Sequence, residues 1–326
     1  MNLSNVLDAA LDRSVVLGYT RIGSGLRRRW WPADPPAGAL EVKRVLVTGA
    51  TSGLGEAMAK SFAELGATVH LLGRNIAKVK TSADAIRAAV PGAVVVEEVC
   101  DVGDLDAVRA WTDDFTGRVD SLDGLVHNAG AMPKTRAETA QGHETQLACH
   151  VLGPHLITDR LLTALRNAEG AQVVFVSSGG MYTAPLSAAD LESERGEYDG
   201  VKVYARTKRM QVVLANAWAE RLASTGVRVA SMHPGWAETP GVTESLPTFD
   251  KVMRPLLRTA ADGADTAVWL VATRPASRPP HFWHDRAQRP TTFGWQRGQD
   301  AGEVARFLDE VSAATDTSRN WVELRD

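Results

Sequence analysis

A run of β-branched and apolar residues, Val42-Lys43-Arg44-Val45-Leu46-Val47-Thr48, meets a glycine-rich loop, Gly49-Ala50-Thr51-Ser52-Gly53-Leu54-Gly55. Few junctions restrict a fold more. The run reads as a buried strand, and residues 54–65 read as an amphipathic helix. Glycines at 49, 53 and 55 let the backbone turn tightly between them and approach a pyrophosphate held at the helix N-terminus. The spacing is Gly-x-x-x-Gly-x-Gly after a Thr, not the Gly-x-Gly-x-x-Gly dinucleotide fingerprint. A bare glycine triplet is an ordinary turn more often than not. Its place between a β-rich run and a helix favours the dinucleotide.

The remaining chain keeps the same rhythm. Strands are expected at 67–72, 93–99, 122–127, 171–176 and 227–232, and helices at 76–89, 104–116, around 144–165 and at 203–224. Short connections between β-rich apolar runs predict an α/β fold, a doubly wound parallel sheet covered on both faces. The organisation expected is one domain over 41–285, with an N-terminal extension (1–40), a C-terminal tail (286–326) and a substrate lid at 237–258. That lid carries Val242, Leu246, Pro247, Phe249, Met253 and Leu256, with Trp236 immediately before it, residues suited to an apolar, adjustable pocket wall.

Composition excludes several other classes. The 326 residues are 44% hydrophobic and 23% charged, as in a globular protein. A net charge of −3 gives no reason to expect a nucleic-acid partner. Cys100 and Cys149 are too few for a disulfide framework or a zinc cluster and suit a reducing compartment. No apolar run reaches the roughly 18 residues of a membrane span, and the start lacks a signal-peptide layout. The expected location is cytoplasmic.

Downstream of the glycine loop stands Tyr204-x-x-x-Lys208. Residues four apart share a helix face, so the Lys208 ammonium can sit beside the Tyr204 phenol and favour its ionised form. A phenol so tuned can pass a proton to or from an alcohol oxygen near neutral pH. Alone the pair is weak, because most such spacings are surface helix contacts. With the glycine loop in the same chain it becomes informative.

Together with Cys100-Asp101-Val102, Asn128-Ala129-Gly130, Val176-Ser177-Ser178 and Pro234-Gly235, these motifs resemble the short-chain dehydrogenase/reductase family across residues 42–285. The resemblance implies an oxidoreductase interconverting a carbonyl compound and its alcohol by hydride transfer. It makes Tyr204 the proton donor or acceptor. Lys208 tunes it and holds the nicotinamide ribose, and Ser178 bonds the substrate oxygen. Cofactor contacts fall on Thr48, Gly49, Thr51, Ser52, Gly53, Leu54, Gly55, Arg74, Asp101, Val102, Asn128, Ala129, Gly130, Pro234, Gly235 and Thr239. It also implies a homo-oligomer paired mainly through long helices. A binding-only alternative is a catalytically silent NADP(H) sensor or interaction protein.

At one position the pattern departs. The family usually places an Asn in the helix after Asn128-Ala129-Gly130, and here His150 stands there. An imidazole can donate and accept, so His150 is either a catalytic proton relay or a satisfied core histidine. Cofactor choice is read at the end of the second strand. Gly73 stands where an acid would bond the ribose 2′-hydroxyl of NAD, and Arg74 beside it suits the 2′-phosphate of NADP. NADP(H) is expected over NAD.

The ends are less legible. Leu3, Val6, Leu7, Leu11, Val15 and Val16 have broadly helical spacing, followed by Arg27-Arg28-Arg29-Trp30-Trp31. This suits either peripheral membrane contact through residues 1–40 or an arm packed on its own domain or on a partner subunit. His281, Trp283, His284 and Asp285 read as a packed tail, with no metal assigned.

Overall fold

The computed structural model describes residues 7–8, 11–12, 14–238, 251, 253–293, 296, 298–318 and 321. The short helices α1 (Val15–Tyr19) and α2 (Arg21–Arg27) lie before the sheet. The chain then alternates through β1 (Arg44–Thr48), α3 (Gly53–Glu64), β2 (Thr68–Gly73), α4 (Ile76–Ala89), β3 (Val94–Val99), α5 (Leu105–Arg118) and β4 (Gly124–His127). Next come α6 (Thr145–Leu147), a π-helical turn (Ala148–Leu152), α7 (Gly153–Arg160), α8 (Leu162–Asn167), β5 (Gln172–Val176) and α9 (Gly200–Arg221). β6 (Arg228–Met232), α10 (Ala260–Thr273), β7 (Phe282–His284), β8 (Ala287–Gln288) and α11 (Ala301–Thr315) complete the described chain.

Local chemistry sets the element ends. Asn75 caps α4 by accepting from the Lys78 N–H, and Asp104 caps α5 by accepting from Asp106 and Ala107. Thr259 and Asp262 form a reciprocal capping box that starts α10. The strands are dominated by Val, Leu and Phe, whose branched or bulky side chains fit a pleated, buried surface.

Strand order is β3-β2-β1-β4-β5-β6-β7-β8, with every pair parallel except β7–β8. Val45 of β1 pairs with Val69 on one side and Gly124 on the other. Because side chains alternate across a strand, Val45 and Val47 enter a core layer with Met58 and Phe62 of α3 and Val268 of α10. Leu46 enters the opposite layer with Phe115 of α5, Leu156 of α7, Trp218 of α9 and Phe307 of α11. Burying each such large side chain stabilises the fold by about 1.5–3 kcal/mol. The strand order reverses between β1 and β4, which opens a crevice at their carboxyl ends where open α/β sheets bind ligands.

The terminal segments are woven into this body. Tyr19 is buried in a third apolar cluster with Met181, Tyr182, Val212 and Phe282. The segment read as a packed tail supplies strand β7, and α11 lies against α7 and the π-turn. Among the described residues no helix is long and apolar enough to cross a membrane.

Candidate active site

The glycine loop leaves β1 and is packed too closely for side chains. Gly49 has φ +64°, and a Cβ there would lie 2.7 Å from Ala129 Cα. At Gly55 a Cβ would lie 2.3 Å from Gly49 O and 2.5 Å from Asn128 Nδ2. Asn128 braces the loop from β4, its Nδ2 donating to Thr48 O (3.0 Å) and Gly49 O (3.2 Å). Thr48 Oγ1 accepts from both the Asn128 and Ala129 N–H groups at 3.0 Å. Ser52, the N-cap of α3, makes no side-chain capping bond. The first-turn N–H groups of that helix therefore suit an anionic ligand.

At the end of β2, Gly73 sits against Thr51 and Val79, whose methyls would lie 2.7 and 2.9 Å from an added Cβ. Position 73 has no room for an acid. Arg74 is largely exposed, and its guanidinium is 3.9 Å from Asp101 Oδ2. Asp101 Oδ1 accepts from Gly103 N–H at 2.9 Å, and Val102 beside it is buried. The Val102 carbonyl would lie 1.8 Å from a Cβ at Gly153, so glycine alone lets α7 start there.

His150 lies within the π-turn, a local unwinding often found at functional sites. It is fully buried, and its ring bridges two elements. Nε2 lies 3.0 Å from the Ala131 N–H, and Nδ1 lies 2.8 Å from Thr207 Oγ1. A backbone N–H can only donate, so Nε2 accepts and the ring proton of the neutral imidazole sits on Nδ1. Burial, and secondarily the Lys208 charge, press its pKa well below the ordinary value. The ring stands edge-on to Tyr204, with centroids 5.5 Å apart.

Ser178 follows β5, and Tyr204 faces it from α9, with Lys208 one turn further along that helix. A hydrogen bond from Ser178 favours the Tyr204 phenolate, but burial is larger and raises the phenol above its ordinary pKa. Lys208 does not supply the expected lowering. Its Nζ donates to Val176 O and Gln211 Oε1, both at 3.0 Å, and lies 5.4 Å from the centroid of the Tyr204 ring. The ammonium is turned to the sheet edge instead of the phenol, and burial lowers its pKa to about 8.

Pro234 and Gly235 lie beyond β6, partly buried, with Gly235 at φ +75°. Thr239 lies outside the described residues, as do Val242, Leu246, Pro247 and Phe249 of the expected lid. A cleft of about 450 Å³, lined by residues including Met132, Pro133, Tyr198 and Val201, opens beside the first turn of α9. Sequence reasoning missed Thr207 and Gln211, which hold His150 and Lys208. Both lie on the tyrosine helix, one residue before and three after Lys208, and that was their only signal.

The model for the family "short chain dehydrogenase" matches residues 43–248. Bovine dehydrogenase/reductase SDR family member 12 is 36% identical over 295 residues, covering 90% of this chain and 92% of that protein. Human retinol dehydrogenase 12 is 32% identical over 228 residues, covering 69% and 72%. A solved structure of a protein from Mycobacterium paratuberculosis superposes with a TM-score of 0.68 at 26% identity, covering 89% of this chain and 98% of that one. The chain belongs to the short-chain dehydrogenase family. It is an oxidoreductase with a nicotinamide cofactor and a small-molecule substrate, and the cradle formed by Gly49, Gly55 and the uncapped α3 fits that cofactor.

Proposed function

We propose that the protein is an NADP(H)-dependent carbonyl reductase or alcohol dehydrogenase acting on a hydrophobic substrate. What supports this reading is that Ser178, at the carboxyl edge of β5, faces the Tyr204 phenol and favours its ionised form, on the same sheet edge as the glycine cradle. A nicotinamide held by the glycine cradle would supply or take up the hydride at the carbonyl carbon. Tyr204 gives the phenol proton to the carbonyl oxygen in reduction and recovers one from solvent, while Ser178 holds that oxygen in line. With a pKa near 8, Lys208 is a cation at neutral pH and is placed to hold the ribose.

The cofactor-holding residues are Thr48, Gly49, Thr51 to Gly55, Arg74, Asp101, Val102, Asn128 to Gly130, Tyr204, Lys208, Pro234, Gly235 and Thr239. Exposed Arg74 and the acid-free Gly73 favour a 2′-phosphate, hence NADP(H). His150 is assigned to positioning, because both ring nitrogens already join the β4 loop to α9. The relative named retinol dehydrogenase supports an apolar alcohol or aldehyde as the substrate class. The test is NADPH oxidation, followed by absorbance, with a panel of aromatic aldehydes, medium-chain ketones and retinal. Tyr204→Phe should cut turnover by about 100-fold or more while leaving NADPH affinity largely intact. Undiminished turnover in that variant would refute the role of Tyr204. A silent panel combined with tight NADPH binding would favour the sensor reading.

A further inference from the structure

The N-terminal arm reaches the back of the proposed site. Tyr19, at the end of α1, is 2% exposed. Its ring lies edge-on to His233 (4.5 Å between centroids), His284 (5.3 Å) and Trp236 (6.1 Å). A Cβ on Gly179, the residue after Ser178, would lie 2.7 Å from Tyr19 Cε2. The ring therefore fills the space directly behind the Ser178 turn.

The backbone of the arm fixes a second turn. Tyr19 O accepts from Trp236 N–H (2.8 Å) and from Arg258 Nε (2.9 Å). A Cβ on Gly235 would lie 2.5 Å from Arg258 Nε and 2.7 Å from Tyr19 O, so these two groups press against the Pro234-Gly235-Trp236 turn. Arg258 and Trp236 also exchange a main-chain bond, Arg258 N–H to Trp236 O at 2.8 Å.

One buried carboxylate locks the arrangement. Asp285, in the turn after β7, accepts from Arg27 Nη1 (2.8 Å) and from Arg258 Nη1 and Nη2 (2.5 and 3.0 Å). Gly18 O accepts from the same two arginines, at 3.1 Å and 2.9 Å. Both guanidiniums are almost fully buried. Removing one partner of such a group leaves charge without compensation in the interior. Arm, sheet edge and the segment leading into α10 therefore hold together as one unit.

We propose that Tyr19 is a positioning residue of this oxidoreductase, and that the Arg27–Asp285–Arg258 clamp keeps it in place. The Tyr19 ring supports Ser178 through Gly179. Its carbonyl supports the Pro234–Trp236 turn, which borders the nicotinamide. The proposal rests on the reading of Ser178 as the group that holds the substrate oxygen. Misplacing a catalytic group by about 1 Å costs on the order of 100-fold in rate. The glycine loop makes none of these contacts, so cofactor capture there is independent of the ring.

The test compares full-length wild type with Tyr19→Phe and Tyr19→Ala by hydrogen exchange and by kinetics on the fastest aldehyde of the panel. Tyr19→Phe keeps the ring, and it should retain wild-type kcat and amide protection. Tyr19→Ala should lose protection at residues 179–181 and 235–237 but not at 49–55, with kcat down about 10- to 100-fold and the NADPH Kd raised by a smaller factor, through the Pro234-Gly235 turn alone. If Tyr19→Ala fails to fold, Tyr19→Leu replaces it with the same expectation. Unchanged protection at 179–181, or a kcat loss shared equally by Tyr19→Phe, would overturn the proposal. Ser178→Ala serves as the control for the underlying reading. Full turnover in that variant defeats the role of Ser178, whereas its loss alongside an unaffected Tyr19→Ala defeats only the role of Tyr19.

Discussion

Lys208 carries a buried charge whose cost can be read as a function of pH. The residue is 3% exposed, and burial lowers its pKa from 10.5 to about 8. Each pH unit of that displacement corresponds to about 1.4 kcal/mol, so the cofactor-free protein loses about 3 kcal/mol by holding the cation at pH 7. Between pH 8 and 10.5 the folded chain binds fewer protons here than the unfolded chain, so stability rises with pH across that window. Below pH 8 both states are protonated and the penalty is complete. Above 10.5 both are neutral and it vanishes. Lys208→Met removes the titration. Urea unfolding of both cofactor-free proteins at several values from pH 7.5 to 10.5 should show wild type gaining about 3 kcal/mol on the variant. The buried Cys100 and Cys149 thiols, pushed up to about 12, act in the opposite direction, because their stabilisation is lost as pH climbs above 9. They are present in both proteins and largely cancel in the difference. Parallel stability curves would refute a charged, desolvated Lys208.

Arg74→Ala should weaken NADPH about tenfold or more, the worth of a charge-assisted bond to a 2′-phosphate, and leave NADH nearly unchanged in a fluorescence titration. Equal losses for both cofactors would count against that contact. His150→Leu strands the Ala131 N–H and leaves the Thr207 hydroxyl only its bond to Tyr204 O, so a loss of about 1–3 kcal/mol is expected in denaturant unfolding, and a loss under about 0.5 kcal/mol would deny the bridge. Burial depresses the pKa of His127, His150, His155, His233 and His284. Stability should therefore be complete above pH about 6.5 and fall progressively below it, by up to about 1.4 kcal/mol per histidine per pH unit; a flat profile from pH 7 to 5 would contradict this. Leu17 and Ile22 are exposed on the arm beside Arg21 and Arg29. A Leu17→Ser/Ile22→Ser protein should float less with anionic vesicles than wild type if the arm touches membranes, and equal flotation rules that role out.

The sheet was legible because its central strands are almost wholly buried and most of the helices between them carry a polar face, so the apolar period changes at their boundaries. The helix expected at 76–89 is α4, which Asn75 caps, and the strands fell within a few residues of their expected places. β7 and β8 were not legible. They span three and two residues, and Phe282-Trp283-His284 carries no alternation that separates a strand from a packed tail. Helix α10 was missed although Thr259-x-x-Asp262 is a capping-box signature, because its alanine-rich body has no strong polar face. Helix α11 was missed because it lies after a Pro- and Arg-rich stretch that reads as irregular.

For the site, short motifs announced which residues meet, since a strand end, a glycine turn and a helix face are local geometry. They did not announce which way each side chain points. The spacing of Tyr204 and Lys208 placed an ammonium beside a phenol, yet Lys208 reaches Val176 O, 32 residues away in sequence. That direction is set by how α9 packs on β5, a tertiary fact. The arm shows the same limit more strongly. Arg27 and Asp285 are separated by 258 residues, and nothing in either neighbourhood marks them as partners. Read alone, residues 1–40 looked separable from the nucleotide fold. In the structure their removal would take away Arg27, the Gly18 and Tyr19 carbonyls and the ring behind Gly179 together, leaving Asp285 and Arg258 to rearrange in the interior. Truncation is thus a poor probe of what the exposed face of the arm binds, because it also disturbs the proposed site. Point changes at Leu17 and Ile22, which leave the buried clamp intact, keep the two questions apart.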